Sequence, residues 1–259
     1  MIKYFKCESL EKTGLVKTAY TSNNSEARWK IYSKDPSHFC MKYYEEMASM
    51  MGIKVDDMVR IPQKHTTNIK IVKKGDGGLG ISRQEDEGYI DGMITDEKGI
   101  MLCTVEADCI PVYMLDPKNK AIGMIHSGWR GTAGLISIKA LDMMKKEYNT
   151  DIKDILIYLG PSICKDCYEV RDDVIDEFSK IFDDKEIKDI YSIKEDSDIS
   201  DRKYNIDVKL ALKKTLWRHG IKKENIEESI YCTYHNVDLF DSYRRTKDVG
   251  HILTCIMLV

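Results

Sequence analysis

Histidine and proline are scarce in this chain of 259 residues, at six and five, and nowhere does a run approach the about 18 apolar residues that a membrane-spanning helix needs. An excess of charge of one sign is also lacking. Lys and Arg number 40 against 43 Asp and Glu, a net charge of −3, so no general electrostatic hold on nucleic acid or anionic lipid is expected, only a local basic pocket. The opening Met1-Ile2-Lys3-Tyr4-Phe5-Lys6 has no apolar segment of secretory type. No fixed-period repeat, low-complexity tract or Pro/Gly/Ser linker divides the sequence. These absences predict a protein that is neither exported nor membrane-bound, working in the cytoplasm as one domain over residues 1–259.

What is present supports a packed core. Apolar residues recur at three- and four-residue spacing over Cys40 to Met51, Leu135 to Tyr148, Asp172 to Phe182 and Val208 to His219, which predicts helices. Short apolar runs of strand type lie at Ile69 to Val72, Ile100 to Val105, Ile110 to Leu115, Ala121 to Ile125, Ile155 to Leu159 and Ile252 to Val259. Interleaved in this way they predict an α/β fold, with α+β as the variant, in which a mixed sheet is sandwiched by helices in a single compact domain. Lys73 to Gly88 and Lys194 to Lys203 read as surface loops. The eight cysteines form no dense framework, so they read as reduced thiols or metal ligands.

The apolar runs on either side of Asp116-Pro117-Lys118-Asn119-Lys120 predict an antiparallel hairpin. Centred near Lys118, it would pair Ile110 with His126 and Cys109 with Ser127, making Cys109 and His126 neighbours at one end of a sheet. Thiolate plus imidazole suits zinc, and a catalytic zinc takes three protein ligands. His65, just before the strand at Ile69, is the candidate for the third. Spacings of 44 and 17 residues are no metal pattern in themselves, and core histidines with a free core cysteine stand as the alternative.

The next stretch, His126-Ser127-Gly128-Trp129-Arg130-Gly131-Thr132, ends a strand and opens a helix, with Thr132 as its expected N-cap. Its backbone N–H groups and Arg130 would bind phosphate, or else Arg130 pairs with a carboxylate; both readings stay open. The Gly-Lys-Ser/Thr ending of a Walker A loop is missing. Cys164-Lys165-Asp166-Cys167 is a lone CxxC and reads as a structural turn. Met47, Met50, Met51, Met143 and Met144 read as core filling.

Taken together, Gln63-Lys64-His65, Asp91-Gly92-Met93-Ile94-Thr95, Ala107-Asp108-Cys109-Ile110-Pro111-Val112, His126-Ser127-Gly128-Trp129-Arg130-Gly131, Gly160-Pro161-Ser162-Ile163 with Cys167-Tyr168-Glu169-Val170, and Ser242-Tyr243-Arg244-Arg245 resemble the laccase-domain, or multicopper polyphenol oxidase, family. The resemblance runs from Arg60 onward. It implies zinc held by His65, Cys109 and His126. It also implies phosphate-dependent cleavage of adenosine, inosine, guanosine and methylthioadenosine, with some adenosine deamination. Purine nucleosides and phosphate are thus the expected partners, with no nucleic acid and no membrane. Two departures stand out: Thr66 occupies the usual glycine position after the first histidine, and Thr21-Ser22-Asn23-Asn24-Ser25 stands where a Thr-Arg-x-Gly-Gly element is expected.

Phosphorolysis needs an anion clamp, assigned to Arg130 and Arg60, and contacts to the nucleoside, assigned to Gln63 and Arg244. Arg244 and Arg245 have surface ion pairs as their alternative. Asp108, beside a ligand, is the candidate for orienting that ligand or shuttling a proton. The family's other name suggests copper-dependent phenol oxidation, but a laccase needs a further histidine-rich copper cluster, which six histidines do not readily supply. A non-enzymatic interaction protein with a structural metal is the remaining alternative.

Overall fold

The computed structural model describes residues 2–22, 38–83, 88–194, 202–247 and 250–259. Residues 84–87 and 195–201 of the two expected loops, and Asn23 to Ser25, lie outside the described residues.

Five strands, Tyr4–Phe5 (β1), Val16–Thr21 (β2), Met58–Val59 (β3), Met101–Glu106 (β6) and Ile252–Leu258 (β14), form one sheet in the order β1-β2-β14-β6-β3. Six more, Ile69–Ile71 (β4), Gly92–Thr95 (β5), Ile110–Asp116 (β7), Ala121–Ser127 (β8), Leu156–Leu159 (β9) and Ile226–Glu228 (β13), form a second in the order β13-β9-β7-β8-β5-β4. Glu169–Val170 (β10), Tyr191–Ile193 (β11) and Tyr204–Ile206 (β12) make a small third sheet. The principal helices are His38–Met51 (α2), Ile136–Tyr148 (α4), Asp172–Ser179 (α5) and Val208–Arg218 (α7). Short ones span Glu8–Glu11 (α1), Trp129–Ala133 (α3), Ile187–Ile190 (α6) and Tyr243–Thr246 (α8).

Strand alternation explains the layering. Along β7, Val112 and Met114 join the core under α4, α5 and α7, whereas Tyr113 and Leu115 point into the space between the two large sheets. Along β14, Ile252, Ile256 and Leu258 face that inter-sheet core, while Leu253, Cys255 and Met257 face α2. Both faces of these strands are therefore buried, which is why they read as continuous apolar runs. The mixed α/β expectation holds, with one difference: two sheets stack face to face and the helices lie outside. Four-residue recurrence sets the helices' inner faces, as with Ile136, Ala140, Met144 and Tyr148 on α4. Met47, Met51 and Met144 are buried in these cores, as core filling requires. Among the described residues no helix is long and apolar enough to cross a membrane.

The β7–β8 hairpin is offset by one residue from the expected register: Pro111 pairs with His126, and Ile110 with Ser127. Asp116 sets the offset. Its carboxylate accepts from the backbone N–H groups of Lys118 and Asn119 at 2.9 and 3.0 Å and from Asn119 Nδ2 at 2.8 Å. The loop thus closes on Asp116 and Ala121, with Lys120 left-handed at φ 55°.

Candidate active site

Cys109 immediately precedes β7, His126 is near the end of β8, and His65 lies in the loop before β4, so two adjacent strands and the loop leading to a third, with β5 between, deliver three donors to one end of the six-stranded sheet. Their ligand atoms all lie within 4.8 Å of one another. Cys109 Sγ is 3.6 Å from His65 Nε2, and the two imidazole rings meet edge to face at 4.9 Å between centroids. This packing needs a glycine opposite: a Cβ at Gly128 would stand 2.8 Å from both Cys109 Sγ and His65 Cδ2.

Asp91, quoted above as part of a motif but given no role, organises the centre. Fully buried, it accepts the backbone N–H groups of Lys64, His65 and Thr66 at 3.2, 3.0 and 2.7 Å, and the Thr66 hydroxyl at 2.7 Å. These bonds hold His65 at a left-handed φ of 58°, and the departure to threonine at position 66 adds one of them. Asp91 Oδ1 also lies 2.7 Å from His126 Nδ1. With Nδ1–H donated to the carboxylate, the Nε2 lone pair of His126 is free for a cation. Burial pushes the Asp91 carboxyl up, but bonds from His126 and Thr66 outweigh it and hold it at about 2. Burial likewise raises the Cys109 thiol, and His126 and His65 overcome it, bringing Cys109 down to about 6. His126 is driven upward against burial by Cys109 and Asp91. At neutral pH the centre therefore favours a thiolate beside a protonated His126; a metal ion would displace that proton, and His65, Cys109 and His126 could hold one.

The three donors line a cavity of about 570 Å³, a size that suits a small-molecule ligand. Its wall carries two cation–aromatic pairs: Arg130 lies 4.1 Å from the Trp129 ring centre, and Arg244 lies 5.1 Å from that of Tyr168. Tyr243, Lys247 and His251 complete the far side. Among the described residues Arg130 has no carboxylate partner.

Other expected site residues fall differently. Arg60 is not brought to the cavity. Its backbone pairs with Leu79, its Nη2 donates to Gly80 O at 3.4 Å, and its guanidinium lies 6.0 Å from the Tyr44 ring centre. Gln63 does line the cavity, but its amide is spent on both backbone groups of Val105, donating to O and accepting from N at 2.9 Å each. Asp108, left-handed at φ 92°, accepts from Thr233 Oγ1 at 2.6 Å and from the Arg244 backbone N–H at 2.7 Å, so it fixes the segment that carries Arg244. Arg245 is tied to the carbonyls of Thr233, Tyr234 and Phe240 and makes no surface ion pair among the described residues. Thr132 does not cap α3. Gly128 occupies that position, and Thr132 Oγ1 instead bonds Gly128 O at 3.0 Å and Ser127 Oγ at 2.9 Å. Five residues long, α3 adds little aligned dipole, and left-handed Leu135 separates it from α4.

A family model described as multi-copper polyphenol oxidoreductase laccase matches residues 7–259. A purine nucleoside phosphorylase of Staphylococcus epidermidis is 32% identical over 230 residues, covering 87% of this chain and 82% of the relative. A protein named adenosine deaminase, from an unknown prokaryotic organism, is 31% identical over 201 residues, covering 77% of this chain and 74% of the relative. The crystal structure of the hypothetical protein YfiH of Bacillus licheniformis matches with a TM-score of 0.89 at 27% identity, covering 99% of this chain and 97% of that one. Running from Cys7 to the last residue, the match means that this chain belongs to the multi-copper polyphenol oxidoreductase laccase family.

Proposed function

We propose that this protein is a zinc-containing purine nucleoside phosphorylase with adenosine deaminase side activity, acting on adenosine, inosine, guanosine and methylthioadenosine. The observation that carries the reading is the juxtaposition, in one cavity, of a two-histidine, one-cysteine donor set with the guanidinium of Arg130, which has no carboxylate partner among the described residues. The names of the relatives point the same way. Three protein donors leave a fourth position open, and thiolate with imidazole favours zinc. When bound, the ion supplies Lewis acidity toward a substrate oxygen or water.

In phosphorolysis a phosphate oxygen bonds to the anomeric carbon, the glycosidic C–N bond breaks, and the purine leaves with its bonding electrons and takes up a proton. Arg130 clamps the phosphate, and Arg244 faces the same space, so the developing charge meets fixed cations. Trp129, Tyr168 and Tyr243 offer flat apolar surface for the base. Asp108 acts as a positioning residue, holding the Arg244 backbone. The free thiols among the described cysteines suit a reducing compartment, and we place the protein in the cytoplasm.

The test is to incubate the purified protein with each nucleoside, with and without phosphate, and separate the products. Free base plus the matching sugar 1-phosphate (ribose 1-phosphate, or 5-methylthioribose 1-phosphate from methylthioadenosine), formed only with phosphate, is the expected result. Release of free ribose without phosphate, or no turnover of any nucleoside, overturns the proposal.

A further inference from the structure

Cys164 and Cys167 were expected to be a lone CxxC in a structural turn, but the fold sets a second pair against them. Cys164 precedes and Cys167 ends the turn Lys165–Cys167 that leads toward β10, and Cys232-Thr233-Tyr234-His235 follows β13. The two segments pair directly: Ser162 bridges Cys232, and Thr233 N–H donates to Ser162 O at 3.2 Å. Cys164 Sγ is 3.8 Å from His235 Nδ1, and Cys167 Sγ is 3.0 Å from His235 Nε2. Ligand atoms of all four residues lie within 4.8 Å of one another.

We propose that Cys164, Cys167, Cys232 and His235 form a second, closed zinc site, which clamps the loop after β9 to the segment after β13. The donor chemistry is that of structural zinc, three sulfurs and one nitrogen. A tetrahedron with bonds of about 2.0–2.3 Å separates its donors by about 3.3–3.8 Å, so the cluster needs only a small contraction to close on an ion. The local backbone is arranged as a metal knuckle. The backbone N–H of Cys164 donates to Cys232 Sγ at 3.3 Å, as a negatively charged sulfur requires. Asn236 secures the turn, its Oδ1 accepting from Cys232 N–H and its own N–H donating to Cys232 O, both at 3.0 Å. All three cysteines are free thiols. Unlike the first centre, this one supplies four protein donors and has no need of water or substrate to complete its shell.

The clamp reaches the active cavity through its own residues. Thr233, inside the second knuckle, donates to Asp108, and the carbonyls of Thr233 and Tyr234 receive Arg245. Tyr168, next to Cys167, and Arg244, next to Arg245, form one of the two cation–aromatic pairs on the cavity wall. This part of the inference rests on the proposed active site; metal binding at the clamp does not.

The experiment measures zinc per chain by elemental analysis in protein purified under reducing conditions without chelator. The wild type is expected to carry about two zinc ions, Cys109→Ser about one, and Cys232→Ser about one. Since Cys232→Ser could fail to fold, cobalt(II) exchanged into the Cys109→Ser protein gives a second readout. Strong thiolate-to-cobalt charge-transfer absorption with intense tetrahedral visible bands is expected there. A folded Cys109→Ser protein that holds no zinc and gives no such cobalt spectrum overturns the proposal. A disulfide among Cys164, Cys167 and Cys232 in freshly purified protein overturns it equally. Loss of nucleoside turnover with two zinc ions retained would sink the catalytic reading and leave the clamp standing.

Discussion

The two ligand clusters differ in what holds them and in how many donors they offer. His65, Cys109 and His126 are positioned by the six-stranded sheet, with Asp91 bonding both the His65 loop and the His126 ring, and they face a cavity. Cys164, Cys167, Cys232 and His235 come from two loops joined to each other by the Ser162–Cys232 bridge and by the Thr233 N–H bond to Ser162 O, with Asn236 securing the turn at Cys232. Three donors on a rigid frame leave room on an ion for substrate, whereas four donors on loops turn metal affinity into stability of the fold. On this reading the scaffold is the stiff partner at the first site, and an ion would be the stiff partner at the second.

The largest expected effect separates the clusters outright. Cys109→Ser should lower nucleoside turnover by more than about 100-fold, beyond the range for loss of an outer partner of a metal ligand. The second site should keep its zinc. Turnover near that of the wild type in a variant lacking the first metal would break the distinction between them.

Arg130→Ala removes a charge-assisted contact worth about 1.5–3 kcal/mol, which predicts roughly 10- to 150-fold lower phosphate-dependent kcat/KM with both metals retained. Adenosine deamination, which uses no phosphate, should fall much less. A parallel fall in both activities, with an unchanged midpoint in a phosphate titration, would make Arg130 a structural residue.

Asp91→Asn tests the claim that the first site is stiff before metal binds. Loss of this partner should weaken metal affinity or activity about 10- to 100-fold. In metal-free protein the effect is also pH-dependent. The folded carboxyl is held at about 2 against an ordinary value of 3.8, so the carboxylate stabilises the fold above about pH 4, and that contribution disappears as pH falls toward 2. A shift of this size corresponds to about 2 kcal/mol. Acid unfolding of the apoprotein should therefore be less steep between about pH 4 and 2 in Asp91→Asn, as followed by circular dichroism. An identical pH slope in the two proteins would show that the bonds to Asp91 carry no net stability.

The smallest expected effect belongs to Arg60→Ala. With its guanidinium on Gly80 O and beside Tyr44, its loss should leave the KM for phosphate within about twofold, the range of a substitution away from the site. A tenfold rise would mean that Arg60 swings into the cavity during turnover.

Much of the fold was legible in the sequence. The expected helices at Leu135 to Tyr148 and Val208 to His219 end within one residue of α4 and α7, because three- and four-residue recurrence reports directly on the buried face. The strands β6, β7, β8, β9 and β14 were equally visible as apolar runs. The second sheet was not, since a strand buried on both faces looks the same whether a helix or another sheet covers it. At the candidate site the three donors that the fold brings together, His65, Cys109 and His126, were legible from residue type, the hairpin and the family resemblance. Asp91 was not, because its work consists of bonds to residues 25 to 35 positions away, which leave no local pattern. Cys164-x-x-Cys167 was visible as half of a cluster. A Cys-x-x-His at Cys232 and His235 was the available signal for the other half, but Cys164 and Cys232, like Cys167 and His235, are 68 positions apart.

The sequence by itself determined where the chain curls into helices and where it extends, since those choices depend on neighbours within a turn or a pleat. It also set which residues could act as ligands and cations, since donor chemistry is a property of the side chain. Only the tertiary structure decided the grouping. The one-residue offset set by Asp116 placed Cys109 across from Gly128. Asp91, just before β5, reached both the His65 loop and His126 on β8. Arg60 turned toward Gly80 while Arg130 and Arg244 turned toward the cavity. Each of these depends on strands and loops distant in sequence meeting in one register, and register is fixed by the packing of whole faces against each other, which no local stretch of residues encodes alone.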